Sequence, residues 1–134
     1  MVSKRLQTLF TLALLLIAAH GVEEVSTGFM YHDSFVSYFA NLFNTKEELF
    51  YWSFHIMWWL MLIVSWVFIV GKKFILIPLS LFGIVFFFET HHLIKGLLSG
   101  SYYSGTVTAF FYPILGIFYW KELLKNWRKN YGKN

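Results

Sequence analysis

Four stretches of predominantly apolar residues divide the chain, and each is about as long as a helix that crosses a bilayer. They cover residues 6–25, 50–70, 74–98 and 103–120. A spanning helix needs about 20 consecutive, mainly apolar residues. The last stretch approaches that length only because it takes in polar residues before Thr106. The pattern predicts an all-α membrane protein, built as a bundle of four transmembrane helices.

The polar segment between the first two stretches also contains a helical pattern. In "FVSYFANLF", at residues 35–43, apolar side chains recur at helical spacing. This spacing predicts a short helix that lies at the membrane interface. The second and third stretches are joined only by "GKK", and residues 121–134 form a basic tail. Nothing in the pattern marks a second domain, so we expect residues 1–134 to form one integral membrane domain.

Composition supports the membrane assignment. Of the 134 residues, 57% are hydrophobic, 22% are aromatic and 13% are charged, whereas soluble domains carry about 25% charged residues. We therefore expect a multi-pass membrane protein, in the cytoplasmic membrane if the source is bacterial, with the lipid bilayer as its partner. The lack of cysteine excludes disulfides and thiolate ligands. The oligomeric state is left open.

The basic residues set the expected orientation. Except for Lys46 and Lys95, they precede the first stretch, occupy the "GKK" link or follow the fourth stretch, so four spans place these three groups on one side. The positive-inside rule makes that side cytoplasmic, with both termini inside. Anionic lipid then explains the formal net charge of +4, and nucleic-acid binding is a poor alternative.

A cleavable signal peptide is a competing interpretation of the first stretch. The basic start and the apolar run "LFTLALLLIAA" at residues 9–19 have the required order. Cleavage after Ala19 would, however, place the large residue Ile17 at a position that favours small residues. It would also remove one wall of the predicted bundle, so we favour an uncleaved first span.

Polar residues interrupt the apolar stretches at a common depth. With a rise of about 1.5 Å per residue, His20 lies about 21 Å and His55 about 22 Å from the cytoplasmic ends of their helices. Glu89 lies at the same level in the third stretch, and Thr106 and Thr108 lie there in the fourth. This coincidence predicts a polar site in the outer third of the membrane.

Helical spacing gives this site a metal-binding character. In "HGVEE", Glu23 and Glu24 follow His20 by three and four residues, and in "ETHH" His92 follows Glu89 by three. Glu-x-x-His is the spacing of carboxylate-bridged metal sites in four-helix bundles. Imidazole and carboxylate ligands without thiolate suit zinc, iron or manganese. The predicted ligands of a divalent transition metal are His20, Glu23, Glu24, Glu89 and His92.

A metal-free acid–base site is the alternative for the same residues. The predicted catalytic residues are Glu23, Glu24, His55 and Glu89. Secondary candidates for the site are His91, Lys95, Tyr103 and Thr106. Gly21, inside the "HGVEE" motif, is expected to let a neighbouring helix approach closely.

Each of these assignments has a structural alternative. His55 could serve only as an interhelical hydrogen-bonding group, and Lys95 could extend to the outer headgroups. One of the adjacent residues Glu23 and Glu24 could face solvent, because neighbouring helical residues differ by about 100° in direction. The whole set could also be a structural polar network.

The motif "HGVEE" resembles the HxxEE signature of a family of small integral membrane proteins named for it. The family is similar in length, in the placement of the motif and in a later histidine, here within "ETHH". Its small-residue turn before the last helix resembles "YSGTVTAFFYP" at 103–113, so the resemblance covers about residues 6–120. Two elements depart from the family: Phe88 replaces an Asn four residues before His92, and Ser104 replaces a Pro before Gly105.

The resemblance implies His20, Glu23, Glu24 and either His91 or His92 as the family's functional residues, without an established reaction. We weigh first a membrane-embedded enzyme that acts on a lipidic or isoprenoid-like substrate. Second is a non-catalytic protein that binds a ligand or senses pH through histidine. Third is a proton or metal-ion transporter, against which the inner two-thirds of each stretch offers almost no polar side chain.

Overall fold

A computed structural model describes residues 2–68 and 75–132, and every regular element within these ranges is helical. In chain order the elements are α1 (Lys4–Ser26), a 3-10 helix (Phe29–Tyr31), α2 (Ser34–Leu42), α3 (Glu47–Phe68), α4 (Leu76–Gly83), α5 (Val85–Phe88), α6 (Thr90–Ser99), α7 (Thr106–Ala109) and α8 (Phe111–Tyr131). The all-α prediction is confirmed for the described residues.

Three segments of the described chain are long and apolar enough to cross a membrane. They are Lys4–Ser26, Glu47–Val67 and Leu76–Ser99, and they agree with the first three predicted spans to within a few residues. Residues 69–74, which contain the end of the second predicted span and the "GKK" link, lie outside the described residues. The short helix predicted at 35–43 is present as α2.

The fourth predicted span differs from the structure in its boundaries. Residues 101–105 are not helical, and the chain becomes helical only at Thr106. Helix α8 then continues through the predicted basic tail to Tyr131. Pro113 is tolerated because it stands in the first turn, where no intrahelical partner for its nitrogen is needed. The polar second half of α8 explains why it does not join the three membrane-length segments.

Capping side chains fix where two of the helices begin. The Ser3 hydroxyl accepts a hydrogen bond from the Leu6 amide at 3.1 Å, which caps α1. The Asp33 carboxylate accepts one from the Phe35 amide at 2.8 Å, which caps α2. Between α5 and α6, Glu89 keeps helical dihedral angles (φ −67°, ψ −16°), so these two short helices continue one path.

An apolar core fills the space between α1, α4, α5 and α8. At its centre the ring centroids of Phe10 and Phe82 lie 4.8 Å apart, and those of Phe82 and Tyr119 lie 5.6 Å apart. The Tyr119 hydroxyl donates to the Leu79 carbonyl at 2.8 Å, so its polar end has a partner. Along α1, this core lies on the N-terminal side of the polar residues His20, Glu23 and Glu24. Apolar side chains of the described residues therefore fill the bundle on that side.

Glycines permit the close approach of α8 to α4 and α5. A Cβ atom at Gly116 would lie 2.8 Å from the Phe86 Cβ, and one at Gly83 would lie 2.8 Å from a ring carbon of Trp120. Gly21 is different, because a Cβ atom there would meet nothing within 4 Å. The expectation that Gly21 permits close helix packing is therefore wrong, and this glycine leaves open space beside α1.

We expect Gly116→Ala to destabilise the protein by about 1–3 kcal/mol, because the added methyl group overlaps the Phe86 Cβ. Gly21→Ala is the matched control, and it should stabilise α1 by up to about 1 kcal/mol through helix propensity. Thermal unfolding of both variants in detergent measures the difference. Equal unfolding temperatures would contradict this packing of α8.

Candidate functional site

Four side-chain atoms from two parts of the chain meet at one point. Helix α1 contributes His20 and Glu24, while Glu89 and His92 lie at the junction of α5 and α6. The Nε2 atom of His20 lies 2.9 Å from Glu89 Oε2 and 3.5 Å from Glu24 Oε1. The Nε2 atom of His92 lies 3.3 and 3.4 Å from the same two oxygens. We call these four residues the inner cluster.

The inner cluster is largely shielded from its surroundings. His20, Glu24 and His92 are 4%, 5% and 1% exposed, and the Glu89 side chain is 21% exposed. One donor atom each from His20, Glu89 and His92 lies within 4.8 Å of the others, so these residues form a group that could hold a metal ion. Glu24 is not part of this group, although its Oε1 lies 3.5 and 3.4 Å from the two Nε2 atoms.

Three atoms of the inner cluster, from His20, Glu89 and His92, lie at distances that suit ligands of one metal ion. Zinc binds histidine nitrogen and carboxylate oxygen at about 2.0–2.1 Å, and a tetrahedron of that size has edges of about 3.3–3.4 Å. The two Nε2 atoms lie 3.3 Å apart, and the four distances from nitrogen to oxygen run from 2.9 to 3.5 Å. An ion of this size therefore fits between His20, Glu89 and His92, whereas Glu24 Oε1, which is outside that group, would have to move toward the ion to complete a tetrahedron.

The outward ring nitrogens of both histidines have partners that define their protonation. His92 Nδ1 lies 2.5 Å from the Ser104 carbonyl oxygen, which can only accept, so this nitrogen is the donor. His20 Nδ1 lies 2.6 Å from the Thr108 hydroxyl oxygen. That hydroxyl donates its own proton to Glu23 Oε2 at 2.5 Å, so it accepts from His20.

These partners leave the inner Nε2 atoms as acceptors when the imidazoles are neutral. Two lone pairs from His20 and His92 then face two carboxylate oxygens, and no donor stands between them. Buried acceptors and charges without a partner are costly. A divalent cation would balance the Glu24 and Glu89 carboxylates and bind both lone pairs. Histidine ligands of metals usually donate their other N–H group in the way both rings do here.

The second carboxylate oxygen of Glu24 is held by α3. Tyr51 donates its hydroxyl hydrogen to Glu24 Oε2 at 2.9 Å, and His55 Nε2 lies 3.6 Å from the same oxygen. His55 Nδ1 donates to the Tyr51 carbonyl at 2.9 Å, which fixes the ring orientation. The structure thus places the predicted catalytic residue His55 beside the inner cluster, and Tyr51 orients the Glu24 carboxylate.

Glu23, predicted as both ligand and catalytic residue, points away from the inner cluster. Its Oε1 accepts from the Tyr102 hydroxyl at 2.7 Å and from the Val107 amide at 3.0 Å. Its Oε2 accepts from the Thr108 amide at 2.8 Å and from the Thr108 hydroxyl. Glu23 therefore anchors α7 and orients the hydroxyl that holds His20. Only Glu24, one full turn after His20, reaches the inner cluster.

A glycine in the left-handed conformation allows the two imidazoles to meet. Gly105 has φ +85°, and a Cβ atom there would lie 2.7 Å from His20 Cε1 and 2.7 Å from His92 Nδ1. No side chain therefore fits between this turn and the rings. The same turn presents the Ser104 carbonyl to His92, so residues 104–108 form the wall that fixes both histidines.

The secondary candidates lie outside the inner cluster. His91 Nδ1 lies 2.8 Å from the Phe88 carbonyl oxygen of its own helical path. The Thr106 hydroxyl donates to the Tyr103 carbonyl at 2.5 Å and lies 3.3 Å from the His92 carbonyl, so it supports the backbone of the site.

Lys95 and Tyr103 belong to a separate polar group around Asp33. The Lys95 ammonium and the Tyr103 hydroxyl each lie 2.5 Å from Asp33 Oδ2, and the Asp33 side chain is fully buried. Burial acts to raise the pKa of Asp33, but its hydrogen bonds with Lys95 and Tyr103 outweigh that effect, so the pKa lies below its ordinary value. Lys95 thus ties α6 to the start of α2 instead of extending to the headgroups.

Several residues that build the site were not among the candidates predicted from the sequence. They are Tyr51, Ser104, Gly105 and Thr108, and Asp33 was likewise not predicted for the separate polar group. Tyr51 precedes His55 by one helical turn, which was an available signal. The sequence placed both Thr106 and Thr108 at the right depth. Choosing Thr108 over Thr106 required knowing that the helix starts at Thr106, because the start sets the direction of each side chain. The role of Gly105 depends on a close approach of separate segments, which no local pattern encodes.

Comparisons with known proteins found no relative of this chain. No protein-family model matches the chain. Neither the curated proteins nor the solved structures contain a match to it. The resemblance to the HxxEE family therefore stays a prediction.

We expect Gly105→Ala to destabilise the protein by about 1–3 kcal/mol more than Gly100→Ala. Both glycines have positive φ, +85° and +62°, so both variants carry backbone strain. Only Gly105 faces the histidine rings, whereas a Cβ atom at Gly100 meets nothing within 4 Å. Thermal unfolding in detergent compares the two variants, and equal losses would contradict the steric role of Gly105.

Asp33→Asn is expected to destabilise the protein by about 1–3 kcal/mol at neutral pH, because it removes a charge-assisted hydrogen-bond acceptor. The lowered pKa of Asp33 means that its contribution is present above about pH 4, the value for the unfolded chain, and is lost as pH falls further. The difference in unfolding temperature between wild type and variant should therefore shrink below about pH 4.

Glu48→Gln provides the control for this prediction, since it removes one negative charge from an exposed position in α3. It should change stability by less than about 0.5 kcal/mol. A pH-independent difference between wild type and Asp33→Asn would show that the carboxylate charge is not what stabilises this group.

Proposed function

We propose that this chain is a membrane-embedded, metal-dependent enzyme that acts on a lipidic substrate. In this proposal the inner cluster binds one divalent transition metal, with zinc, iron and manganese as the candidates. The four-span topology with both termini in the cytoplasm belongs to the same proposal. It places the inner cluster in the outer half of the bilayer.

The observation that carries the proposal is the set of four inward-facing acceptor atoms. When both rings are neutral, the Nδ1 atoms of His20 and His92 donate to Thr108 and Ser104, and both Nε2 lone pairs point at the two carboxylates. A proton on one Nε2 atom would leave the other lone pair facing a carboxylate, and protons on both would bring two cationic rings within 3.3 Å of each other. One metal ion would bind both lone pairs and balance the carboxylate charge, and for this reason we favour a metal over a metal-free network.

The surroundings of the inner cluster support an enzyme over a transport pathway. On the side of the chain termini, the described residues form an apolar core around Phe10, Phe82 and Tyr119, each at most 1% exposed. A transported ion would need polar groups along that route. A polar pocket that is closed on one side suits a reaction at a fixed point better.

The residues around the inner cluster have distinct parts in the proposed chemistry. When bound, a transition metal would supply Lewis acidity to a substrate oxygen. Tyr51 holds the Glu24 carboxylate in one orientation through its hydroxyl. His55 lies within 3.6 Å of Glu24, and its half-buried ring is placed to take up or release a proton. Glu23 keeps Thr108, and through it His20, in place.

We expect the purified protein to contain about one equivalent of a transition metal per chain. His92→Ala should lose most of this metal, because it removes one of the four inward-facing atoms. His91→Ala is the matched control, since the adjacent imidazole bonds the Phe88 carbonyl and does not face the cluster. Elemental analysis of the three proteins, with thermal unfolding before and after chelator treatment, provides the measurement.

Several outcomes would contradict the proposal. Absence of metal, together with an unfolding temperature that chelator does not change, would leave a structural or pH-responsive network of histidines and carboxylates. Similar metal contents in the His91 and His92 variants would place the metal elsewhere. Robust ion flux through the protein in proteoliposomes would favour transport.

A further inference from the structure

We propose that the groove between α1 and α3 binds the apolar chain of a single-chain lipid, whose uncharged hydroxyl head lies at His55. This inference rests on the proposed function, because it names the class of substrate for the inner cluster. It draws on three features of the groove: its walls, its polar end and the hydrogen-bonding state of His55.

The groove has a volume of about 610 Å³, which lies within the range of small-molecule sites. On the α1 side it is bordered by small residues, including Ala18 and Gly21. On the α3 side it is lined by larger apolar residues, including Ile56, Trp59 and Ile63. The open space beside Gly21, where a Cβ atom would meet nothing, is part of this groove.

The polar side chains that line the groove, Tyr51, His55 and Ser26, lie toward one end of it. Tyr51 and His55 line the groove and also contact Glu24 Oε2, so they form the boundary between the two spaces. From His55 to Ile63 the groove follows α3 for about 12 Å, away from the cluster. Apolar walls with one polar end match an amphiphile, with its tail along α3 and its head at His55.

The hydrogen bonds of His55 determine which head group fits. Its Nδ1 atom donates to the Tyr51 carbonyl at 2.9 Å, and its Nε2 atom lies 3.6 Å from Glu24 Oε2. A lipid hydroxyl can both donate and accept a hydrogen bond, so it fits beside this nitrogen and this carboxylate whichever of them carries a proton. A fatty-acid carboxylate would instead face the nearby Glu24 carboxylate, and like charges repel in a poorly hydrated site. The geometry therefore favours a long-chain alcohol or another uncharged hydroxyl lipid.

The groove lies between two segments that are long enough to cross a membrane. Both bordering helices belong to the membrane-length segments Lys4–Ser26 and Glu47–Val67, so in a bilayer the groove opens toward lipid tails. A second groove, of about 570 Å³, runs beside Phe39, Phe43 and Phe54. None of the residues that line it contacts the inner cluster, and we infer no substrate there.

The test uses a long-chain primary alcohol with a photoactivatable diazirine on its tail, added to the full-length protein in detergent micelles. We expect covalent labelling of peptides that contain residues 18–26 and 52–63. Ala18→Leu should lower this labelling about tenfold, because the larger side chain fills the groove. Ala19→Leu adds the same bulk at an adjacent exposed residue that does not line the groove, and it should leave labelling unchanged.

A second variant tests the head group. His55→Phe keeps an aromatic ring in α3 but removes both ring nitrogens, so labelling by the alcohol should fall. In wild type, the unlabelled alcohol should compete more strongly than the fatty acid of equal length. Equal labelling of the Ala18 and Ala19 variants would contradict binding of the lipid tail in the groove. Equal competition by alcohol and acid would contradict the assignment of the head group.

Metal content separates this inference from the proposed function. Ala18→Leu lies outside the inner cluster and should keep its full equivalent of metal. Loss of labelling with metal retained supports the groove as a separate lipid site. If Ala18→Leu retains its metal and its labelling is unchanged, the lipid site in the groove is contradicted and the proposed function is not. If the wild-type protein contains no metal, the proposed function is contradicted, and the labelling data still test the lipid site in the groove.

Discussion

Two imidazole nitrogens and two carboxylate oxygens face one another in the interior of this protein. Each is an acceptor when His20 and His92 are neutral and donate through their outer Nδ1 atoms, and the two carboxylates add negative charge. Such an arrangement is unfavourable by itself in a poorly hydrated environment. It persists because other segments hold the side chains in place through hydrogen bonds to their outer atoms. A cation would make the same inner atoms its ligands.

The rest of the structure can be understood from the need to hold these four side chains. The turn at 104–108 supplies the Ser104 carbonyl and the Thr108 hydroxyl, and Gly105 lets it approach the rings. Glu23 anchors that turn, and Tyr51 fixes Glu24 from α3. The apolar core beneath the cluster keeps α1, α5 and α8 in register. Supporting hydrogen bonds of this kind orient ligands as much as the ligands themselves do.

Much of the architecture could be predicted from the sequence because it depends on local pattern. The first three membrane-length helices and α2 follow from apolar runs and helical spacing. The level at which His20, His55 and Glu89 meet follows from the constant rise of a helix. The boundaries of the last helix could not be predicted, because apolar length was the wrong criterion for α8, which continues into polar residues on helix propensity.

The sequence by itself determined which chemical groups lie at one depth, since composition and helical rise are properties of the chain alone. Tertiary structure decided which of them meet. It turned Glu24 toward the histidines and Glu23 toward the backbone of α7, although the two are adjacent. It also paired Lys95 with the buried Asp33, and it placed Gly21 beside an open groove. These choices depend on the rotation and spacing of neighbouring helices, which are set by packing between distant segments.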